Sequence, residues 1–242
     1  GDFYKIEVKE SGIYKLDKNL LQTNSINLSN IDPRTIKIYG NGEAELPYNN
    51  SIPSPTDLVQ NKIYVEGESD GRFDDNDFIL FYGRSPNEWV YDPVNKTYIH
   101  NLNIFSKSNY YWITFGGANG LRMENKNSPN QPGLTPLANF TDWFFEEPEV
   151  NNPGSTGNLW VSQRISVNEA FTFNRELKGY ISESPLNMRF RFGNGSTFSS
   201  IWRLEDLNSN FIVNQPVSGI TGYSRINLSY LGYSRFGVYY SL

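Results

Sequence analysis

Residues 63–83 read IYVEGESDGRFDDNDFILFYG, and the rest of the chain is interpreted around them. The stretch begins with Ile63 and Val65 in alternation and ends with an aromatic run from Phe78 to Tyr82, and both patterns are typical of β-strands. Between them, residues 66–77 carry six carboxylates and one arginine, and we call this segment the acidic loop. Its charge accounts for the net charge of −5 of the whole chain. The stretch therefore predicts two strands joined by a loop whose charge needs an explanation.

The acidic loop has the spacing of a calcium-binding loop. With Glu66 at position 1, oxygen donors recur at positions 3, 5 and 12 and Gly71 falls at position 6, as in an EF-hand. The sequence requires no cofactor, but it makes the acidic loop a candidate Ca²⁺ site, with Glu66, Glu68, Asp70, Asp74 and Asp77 as candidate ligands. The alternative is a solvated loop, because repulsion between exposed carboxylates costs only roughly a few tenths of a kcal/mol per pair.

The composition excludes several classes of chemistry. The chain has 242 residues with 16 Tyr, 16 Phe and 5 Trp, but it has no Cys and only one His, His100. Disulfides, thiol nucleophiles and sites with several His ligands are therefore excluded within this sequence. The absence of a Lys/Arg cluster argues against a nucleic-acid partner. Apolar runs of only a few residues predict no transmembrane segment.

Many aromatic residues together with 20 Gly and 13 Pro are typical of short strands joined by turns. The sequence therefore predicts an all-β protein with one or two short helical turns. We expect a β-rich domain at 1–117, a linker at 118–136, and a β-sandwich of jelly-roll or Greek-key type at 137–242. Because the chain starts at Gly1 and ends in a strand-like run, we expect a mature segment of a larger protein, with the sandwich truncated at its C-terminus.

Local patterns predict individual elements in more detail. Asp17 is the expected N-cap of a short helix over 18–23. Two hairpins are predicted from alternating segments, the first from 3–8 and 13–16 and the second from 88–91 and 97–100. Further predictions are a helical turn at 57–61 and strands at 160–167, 171–173, 179–181, 187–192, 199–204, 210–213 and 224–230.

Two further groups of residues are candidates for binding. One group is aromatic and either forms a sugar-stacking platform or fills cores and cross-strand pairs: Trp89, Tyr91, Tyr98, Tyr110 and Trp112. The second role is favoured because aromatic residues usually serve it in β proteins. Arg189 and Arg191, beside Asn187, either bind a carboxylate or form the solvent face of an alternating strand.

Several short motifs of the first half occur in a recognisable order. They are Tyr4–Ile6, Ser11–Leu16, Ile38–Gly42, Phe78–Gly83 and Asn109–Trp112. This ordered series resembles the N-terminal region of the gingipain-like cysteine endopeptidases, over residues 3–115. The segment after residue 140 is consistent with the same proteins but carries no comparably specific motif.

The resemblance implies a function for a longer parent protein. In the family, a downstream α/β domain carries a catalytic Cys–His pair. This domain is a sortase that cleaves the C-terminal signals of type IX secreted proteins at the cell surface. Because this sequence has no Cys, no catalytic residue is carried over to it, and His100 is not assigned as one. The resemblance implies a non-catalytic region, exported to the cell surface or outer membrane, that shields, orients or docks the peptidase domain. Its implied partners are that downstream domain and outer-membrane secretion components.

A second hypothesis comes from a different functional class. An aromatic-rich β-sandwich with an acidic loop is also compatible with a carbohydrate-binding or adhesive module of a secreted protein. That hypothesis predicts exposed, coplanar Trp or Tyr side chains and loss of glycan binding when Trp89 or Trp112 is replaced by Ala. The sequence of the gene beyond Leu242 distinguishes the two.

Overall fold

A computed structural model gives the architecture of most of the protein. The structure describes residues 2–28, 30–42, 44–94, 96–127, 133, 137–152, 160–172, 174, 176–181, 185–205, 211–220 and 227–236. For 185–189, 191–192, 211–213 and 227–236 the description covers the backbone. The strand-like run at 237–242 and much of the predicted linker lie outside the described residues, as do the side chains of Asn187, Arg189 and Arg191.

The protein divides into two compact units, Gly1–Asp142 and Trp143–Leu242. The described part of the first unit contains one α-helix, α1 (Lys18–Thr23), and two short 3₁₀ helices, Pro33–Thr35 and Glu68–Asp70. Its strands are β1 (Tyr4–Val8), β2 (Gly12–Asp17), β3 (Lys37–Tyr39), β4 (Gln60–Asn61), β5 (Tyr64–Glu66), β6 (Phe78–Gly83), β7 (Glu88–Asp92), β8 (Thr97–Asn101) and β9 (Asn109–Thr114). The second unit contains β10 (Pro185–Asn194), β11 (Ser200–Glu205), β12 (Phe211–Val217) and β13 (Asn227–Phe236).

All pairings between these strands are antiparallel. In the first unit the strand orders are β1-β9-β3-β4, β2-β6-β5 and β7-β8, and in the second they are β10-β13 and β11-β12. The predicted all-β class with short helical turns is therefore confirmed. The jelly-roll or Greek-key topology of the second unit stays a prediction.

One predicted hairpin is wrong. β1 and β2 follow each other in sequence but belong to different sheets, β1 pairing with β9 and β2 with β6. Residue alternation predicts that a segment is a strand, but it does not carry the identity of its partner. The other predicted hairpin is confirmed, since β7 and β8 pair directly with each other.

The first unit is built around one hydrophobic core. Buried side chains of the sheet β1-β9-β3-β4, including Val8, Ile38 and Ile113, belong to the same cluster as Leu16 and Phe81 of the sheet β2-β6-β5. Burying each such side chain contributes about 1.5–3 kcal/mol, so this cluster is the main stabilising feature of the unit. The outward-facing side chains of the same strands lie outside this core.

Three local predictions have different outcomes. The helix cap is confirmed, because Asp17 Oδ1 accepts a hydrogen bond from the Leu20 N–H at 2.9 Å. The helical turn predicted at 57–61 is wrong, since this segment ends in strand β4 beside β3. The strands predicted at 160–167, 171–173 and 179–181 are not strands in the part the structure describes, where only an isolated bridge joins Asn151 to Val161. Residue alternation alone does not make these segments strands, because a strand also needs a neighbouring strand to which it can hydrogen-bond.

The strands predicted in the rest of the second unit are confirmed in outline. Those at 187–192, 199–204 and 210–213 fall within or overlap β10, β11 and β12, and that at 224–230 overlaps β13. No helix among the described residues is both long enough and apolar enough to span a membrane.

Candidate functional site

The conformation of the acidic loop is fixed by two glycines and by the side chain of Asp77. Gly67 and Gly71 flank the 3₁₀ helix Glu68–Asp70, and both adopt positive φ, which glycine accepts without strain. A Cβ on Gly67 would lie 1.8 Å from Asp77 Oδ1, so the carboxylate occupies space that only a glycine leaves open. The other oxygen of Asp77 accepts from the Asp74 N–H at 2.7 Å, and the Asp77 residue is buried. The loop is therefore an ordered turn.

Four of the five predicted calcium ligands bond separate partners within the protein, and the fifth, Asp74, is exposed. Glu66 accepts from the hydroxyl of Tyr64, and Asp70 accepts from the Arg72 N–H at 2.9 Å. Glu68 pairs with Arg122 at 2.7 Å. Among the described residues, no group of three or more His, Cys, Asp or Glu side chains is arranged to hold a metal ion. The calcium site stays a prediction, and the structure offers another account of these carboxylates.

A further carboxylate of the loop, Asp75, was not among the predicted ligands and pairs with Lys18 of helix α1. Their Nζ and Oδ1 atoms are 2.7 Å apart. The pairing lowers the pKa of Asp75 and raises that of Lys18, in both cases chiefly through this hydrogen bond. Asp75 is largely exposed, so the contact orients the loop more than it stabilises the fold.

Arg122 joins the acidic loop to the first sheet. Its Nε donates to Glu68 Oε2 at 2.7 Å, and its two Nη atoms donate to four backbone carbonyls. Those carbonyls belong to Pro33, Arg34, Ile36 and Leu121, at 2.9–3.2 Å. The planar guanidinium thus uses its donors on one carboxylate and on the backbone around the 3₁₀ helix Pro33–Thr35. We call this arrangement the Arg122 clamp.

No local sequence pattern signals the clamp. Arg122 lies in the segment predicted as linker, and it reaches residues more than eighty positions earlier. Gly120 makes the approach possible, because a Cβ there would lie 2.1 Å from the Ile36 carbonyl oxygen. The segment from Gly120 to Glu124 therefore contacts the rest of the first unit, also through a bridge between Ile63 and Arg122 and an ion pair between Lys62 and Glu124.

A second structural cluster explains the motif Tyr-Gly-Asn-Gly at 39–42. The ring of Tyr111 is buried against both glycines, so that a Cβ on Gly40 would lie 2.5 Å from its Cδ1 atom and one on Gly42 would lie 2.1 Å from its Oη. The Tyr111 hydroxyl accepts from the Arg84 N–H at 3.0 Å. Burial raises the pKa of Tyr111, which keeps the hydroxyl neutral. These glycines are therefore needed by the packing.

The five candidate aromatic residues do not form one platform. Trp89, Tyr91 and Tyr98 lie on one face of the two-stranded ribbon β7-β8, together with His100. Tyr110 and Trp112 lie on β9, on the outer face of the sheet β1-β9-β3-β4. Lys5 on β1 lies over the Tyr110 ring at 3.5 Å, so that aromatic residue serves a cross-strand contact.

The aromatic face of the ribbon β7-β8 is accessible to solvent. Trp89, Tyr91 and Tyr98 are 39%, 51% and 40% exposed. The rings pair across the strands, Trp89 with His100 at 4.7 Å and Tyr91 with Tyr98 at 5.2 Å between centroids. The interplanar angles of 61° and 58° show that Trp89 and His100 pack edge-on and that Tyr91 and Tyr98 are tilted, so the rings do not form a flat shelf. Such pairs stabilise a ribbon that no third strand joins among the described residues.

His100 has a structural position. Its ring packs against Trp89, and partial burial lowers its pKa below the usual value for histidine. The sequence has no cysteine thiol from which its imidazole could take a proton.

The fold and these clusters define an all-β protein of antiparallel sheets with ordered polar loops and exposed aromatic surface. Comparison with solved structures finds a matching fold in dimeric latent PorU from Porphyromonas gingivalis, with a TM-score of 0.57. The match covers 96% of this chain at 20% sequence identity, which shows a shared fold. It covers 21% of PorU, so the chain spans about a fifth of that protein. Comparisons with protein families and with curated proteins found no match.

Proposed function

We propose that this chain is a non-catalytic region of a PorU-like surface peptidase. The parent protein would be a sortase that processes the C-terminal signals of type IX secreted proteins, and this region would shield, orient or dock its peptidase domain. The observation that carries the proposal is the fold match to a segment of PorU across nearly the whole chain. The ordered motifs of residues 3–115 support it independently of the fold.

The composition supports a non-catalytic role for this region. A cysteine peptidase needs a thiolate nucleophile, and the sequence has no Cys. The described polar clusters, the Arg122 clamp and the Tyr111 packing, hold the fold together. The matching protein is described as latent, which is compatible with a region that shields an active site.

The sheet β2-β6-β5 carries exposed apolar side chains on its outer face, beside the charged Lys15 and Glu66. Ile13 and Tyr82 are directly opposite each other on β2 and β6 and are 63% and 48% exposed. Tyr64 on β5 lies next to them, opposite Leu80, and is also exposed. Contiguous exposed apolar residues of this kind are typical of interaction surfaces. We assign this face to contact with the downstream peptidase domain, and we place the protein at the cell surface in association with outer-membrane secretion components.

The proposal is tested with the parent protein. Replacing Ile13 and Tyr82 together by serine should weaken capture of the separately expressed peptidase domain by this region, and slow processing of a type IX secreted protein in cells. The control is Val167→Ser, a comparably exposed apolar residue of the second unit. Serine on an exposed face should leave the melting temperature nearly unchanged, which separates lost docking from lost folding.

Two results would contradict the proposal. One is a gene that continues past Leu242 without a domain containing the Cys–His pair. The other is proteolytic activity of the isolated 242-residue protein. Equal capture by the double variant and by the control would reject the docking face alone.

A second candidate function is supported by the exposed ribbon face. Trp89, Tyr91 and Tyr98 offer accessible aromatic surface to a carbohydrate or an adhesion partner. Trp89→Ala should then abolish binding in a glycan screen, whereas Val90→Ala on the opposite ribbon face should not. If the wild-type protein binds no glycan in the screen, this second candidate function is rejected and the first is unaffected.

A further inference from the structure

A polar groove of about 310 Å³ lies in the first unit, beside the packed Tyr111. Its lining comes from the ends of β3, β4 and β6 and from β9, and consists of Gly40, Asn41, Val59, Asn61, Lys62, Tyr82, Arg84 and Tyr111. This volume corresponds to on the order of ten water molecules at about 30 Å³ each. The groove is therefore large enough for a small ligand group, at the lower end of ligand-binding cavities. We call it the Arg84 groove.

The frame of the Arg84 groove is held by hydrogen bonds. Asn61 Nδ2 donates to the Gly40 carbonyl at 2.8 Å, and Asn41 Oδ1 accepts from the Val59 N–H at 2.9 Å. The backbone of Arg84 is held on both sides, by its N–H to Tyr111 Oη and by its carbonyl, which accepts from the Asn109 side-chain amide at 3.0 Å. The groove therefore exists before any ligand binds, which reduces the entropy lost on binding.

The charge in the Arg84 groove is positive. Arg84 is exposed, and no residue in the described part of the protein forms a hydrogen bond or an ion pair with its guanidinium. By contrast, Arg34 and Arg122 each pair with a carboxylate, Asp32 and Glu68. The described residues that line the groove include no carboxylate.

Lys62 is the second cation of the groove, and it is already paired. Its Nζ lies 2.5 Å from Glu124 Oε1, and the two side chains are 55% and 82% exposed. The pairing lowers the pKa of Glu124. Exposed pairs of this kind contribute little to stability, so Lys62 can exchange Glu124 for a ligand at small cost.

We propose that the Arg84 groove binds a carboxylate ligand. The planar Arg84 guanidinium donates two parallel hydrogen bonds to a carboxylate, and Lys62 adds a point charge. Tyr82 and Val59 offer apolar surface to the group that bears the carboxylate. The inference does not rest on the proposed function, because every residue it uses lies among the described residues of the first unit. The carboxyl terminus of a peptide and a sugar acid are the two sources of this chemistry.

The test uses matched acid and neutral probes with the 242-residue protein. N-acetylphenylalanine and its amide represent a peptide terminus, and glucuronate and glucose represent a sugar acid. Affinities are measured by NMR titration at low salt. We expect one acid to bind at least tenfold more tightly than its neutral partner, and the preferred pair identifies the source. Raising the salt concentration should weaken that acid's binding.

Three variants assign the binding to the groove. Arg84→Gln should weaken the preferred acid at least tenfold, and Glu124→Gln should strengthen it a few-fold by releasing Lys62. The control is Arg72→Gln, which removes an exposed arginine of the acidic loop and should change nothing. Acids that bind no better than their neutral partners overturn the proposal. An affinity that falls equally in Arg84→Gln and Arg72→Gln also overturns it, because that result reports only net charge.

Discussion

Replacing Arg122 by methionine tests whether the Arg122 clamp stabilises the first unit. Methionine keeps an unbranched side chain of similar length but removes every donor that reaches Glu68 and the four carbonyls. Hydrogen bonds to charged groups contribute about 1.5–3 kcal/mol each to stability, and the contributions of bonds that share one group are not additive. The Arg122 and Glu68 side chains are 21% and 28% exposed, so water restores part of this. We expect a net loss of about 2–4 kcal/mol of unfolding free energy.

The loss should be concentrated near the clamp. Gly120 and Met123 donate backbone hydrogen bonds to the Arg34 and Ile63 carbonyls, at 2.9 Å in both cases. If Arg122 holds this segment in place, the exchange of these two amides with solvent deuterium should accelerate by roughly 30- to 700-fold, since about 1.4 kcal/mol corresponds to a factor of ten. Native-state hydrogen exchange followed by NMR measures this directly.

Two further variants show whether the hydrogen bonds of the Arg122 guanidinium account for the loss of stability. Arg122→Lys keeps the charge but has three donors on a flexible stem, so we expect a smaller loss of about 1–2 kcal/mol. Lys62→Met removes the exposed pair with Glu124 and should leave the melting temperature nearly unchanged. Equal effects of Arg122→Met and Lys62→Met, or unchanged exchange at Gly120 and Met123, would refute the reasoning.

Three other predictions follow from the same clusters. Gly40→Ala places a methyl 2.5 Å from the buried Tyr111 ring and should lower the free energy of unfolding by about 1–3 kcal/mol. The control Gly12→Ala places its methyl where no atom lies within 4 Å, so it should be tolerated. Equal losses of unfolding free energy for the two variants in urea would argue against the packing account. Asp17→Ala removes the cap of the short helix and should lower stability by about 0.5–2 kcal/mol, while Asp17→Asn should retain most of it. Calcium at millimolar concentration should leave the melting temperature unchanged while the carboxylates of the acidic loop keep their protein partners; a rise of several degrees would instead support the predicted calcium site.

Sequence patterns predicted features that depend on near neighbours. An apolar, aromatic run marked β6, β-prone segments close together in sequence marked the ribbon β7-β8, and Asp17 marked the start of the helix. The ribbon pairing was predictable because only residues 93–96 separate its two strands. The partner of β1 was not predictable, because β9 lies about a hundred residues away and alternation does not encode pairing.

In the candidate sites too, single residues are recognisable in the sequence, whereas their contacts are visible only in the structure. The spacing of the acidic loop is visible in the sequence, but only the structure shows that Glu66, Glu68, Asp70 and Asp77 bond separate partners. The partner of Glu68 comes from a segment that composition marks as linker. The aromatic candidates were recognisable one by one, yet they divide between the ribbon and β9 because those strands belong to different sheets.

The sequence by itself determined the all-β class, most of the strands of the first unit, the capped helix and the exclusion of thiol chemistry, since composition and short periodic patterns carry that information. Only the tertiary structure decided that Arg122 neutralises Glu68, that Tyr111 occupies the space left by Gly40 and Gly42, and that Arg84 lines an open polar groove. The physical reason is that each of these contacts joins residues distant in sequence. Such contacts form only when strands from separate parts of the protein pack around one core.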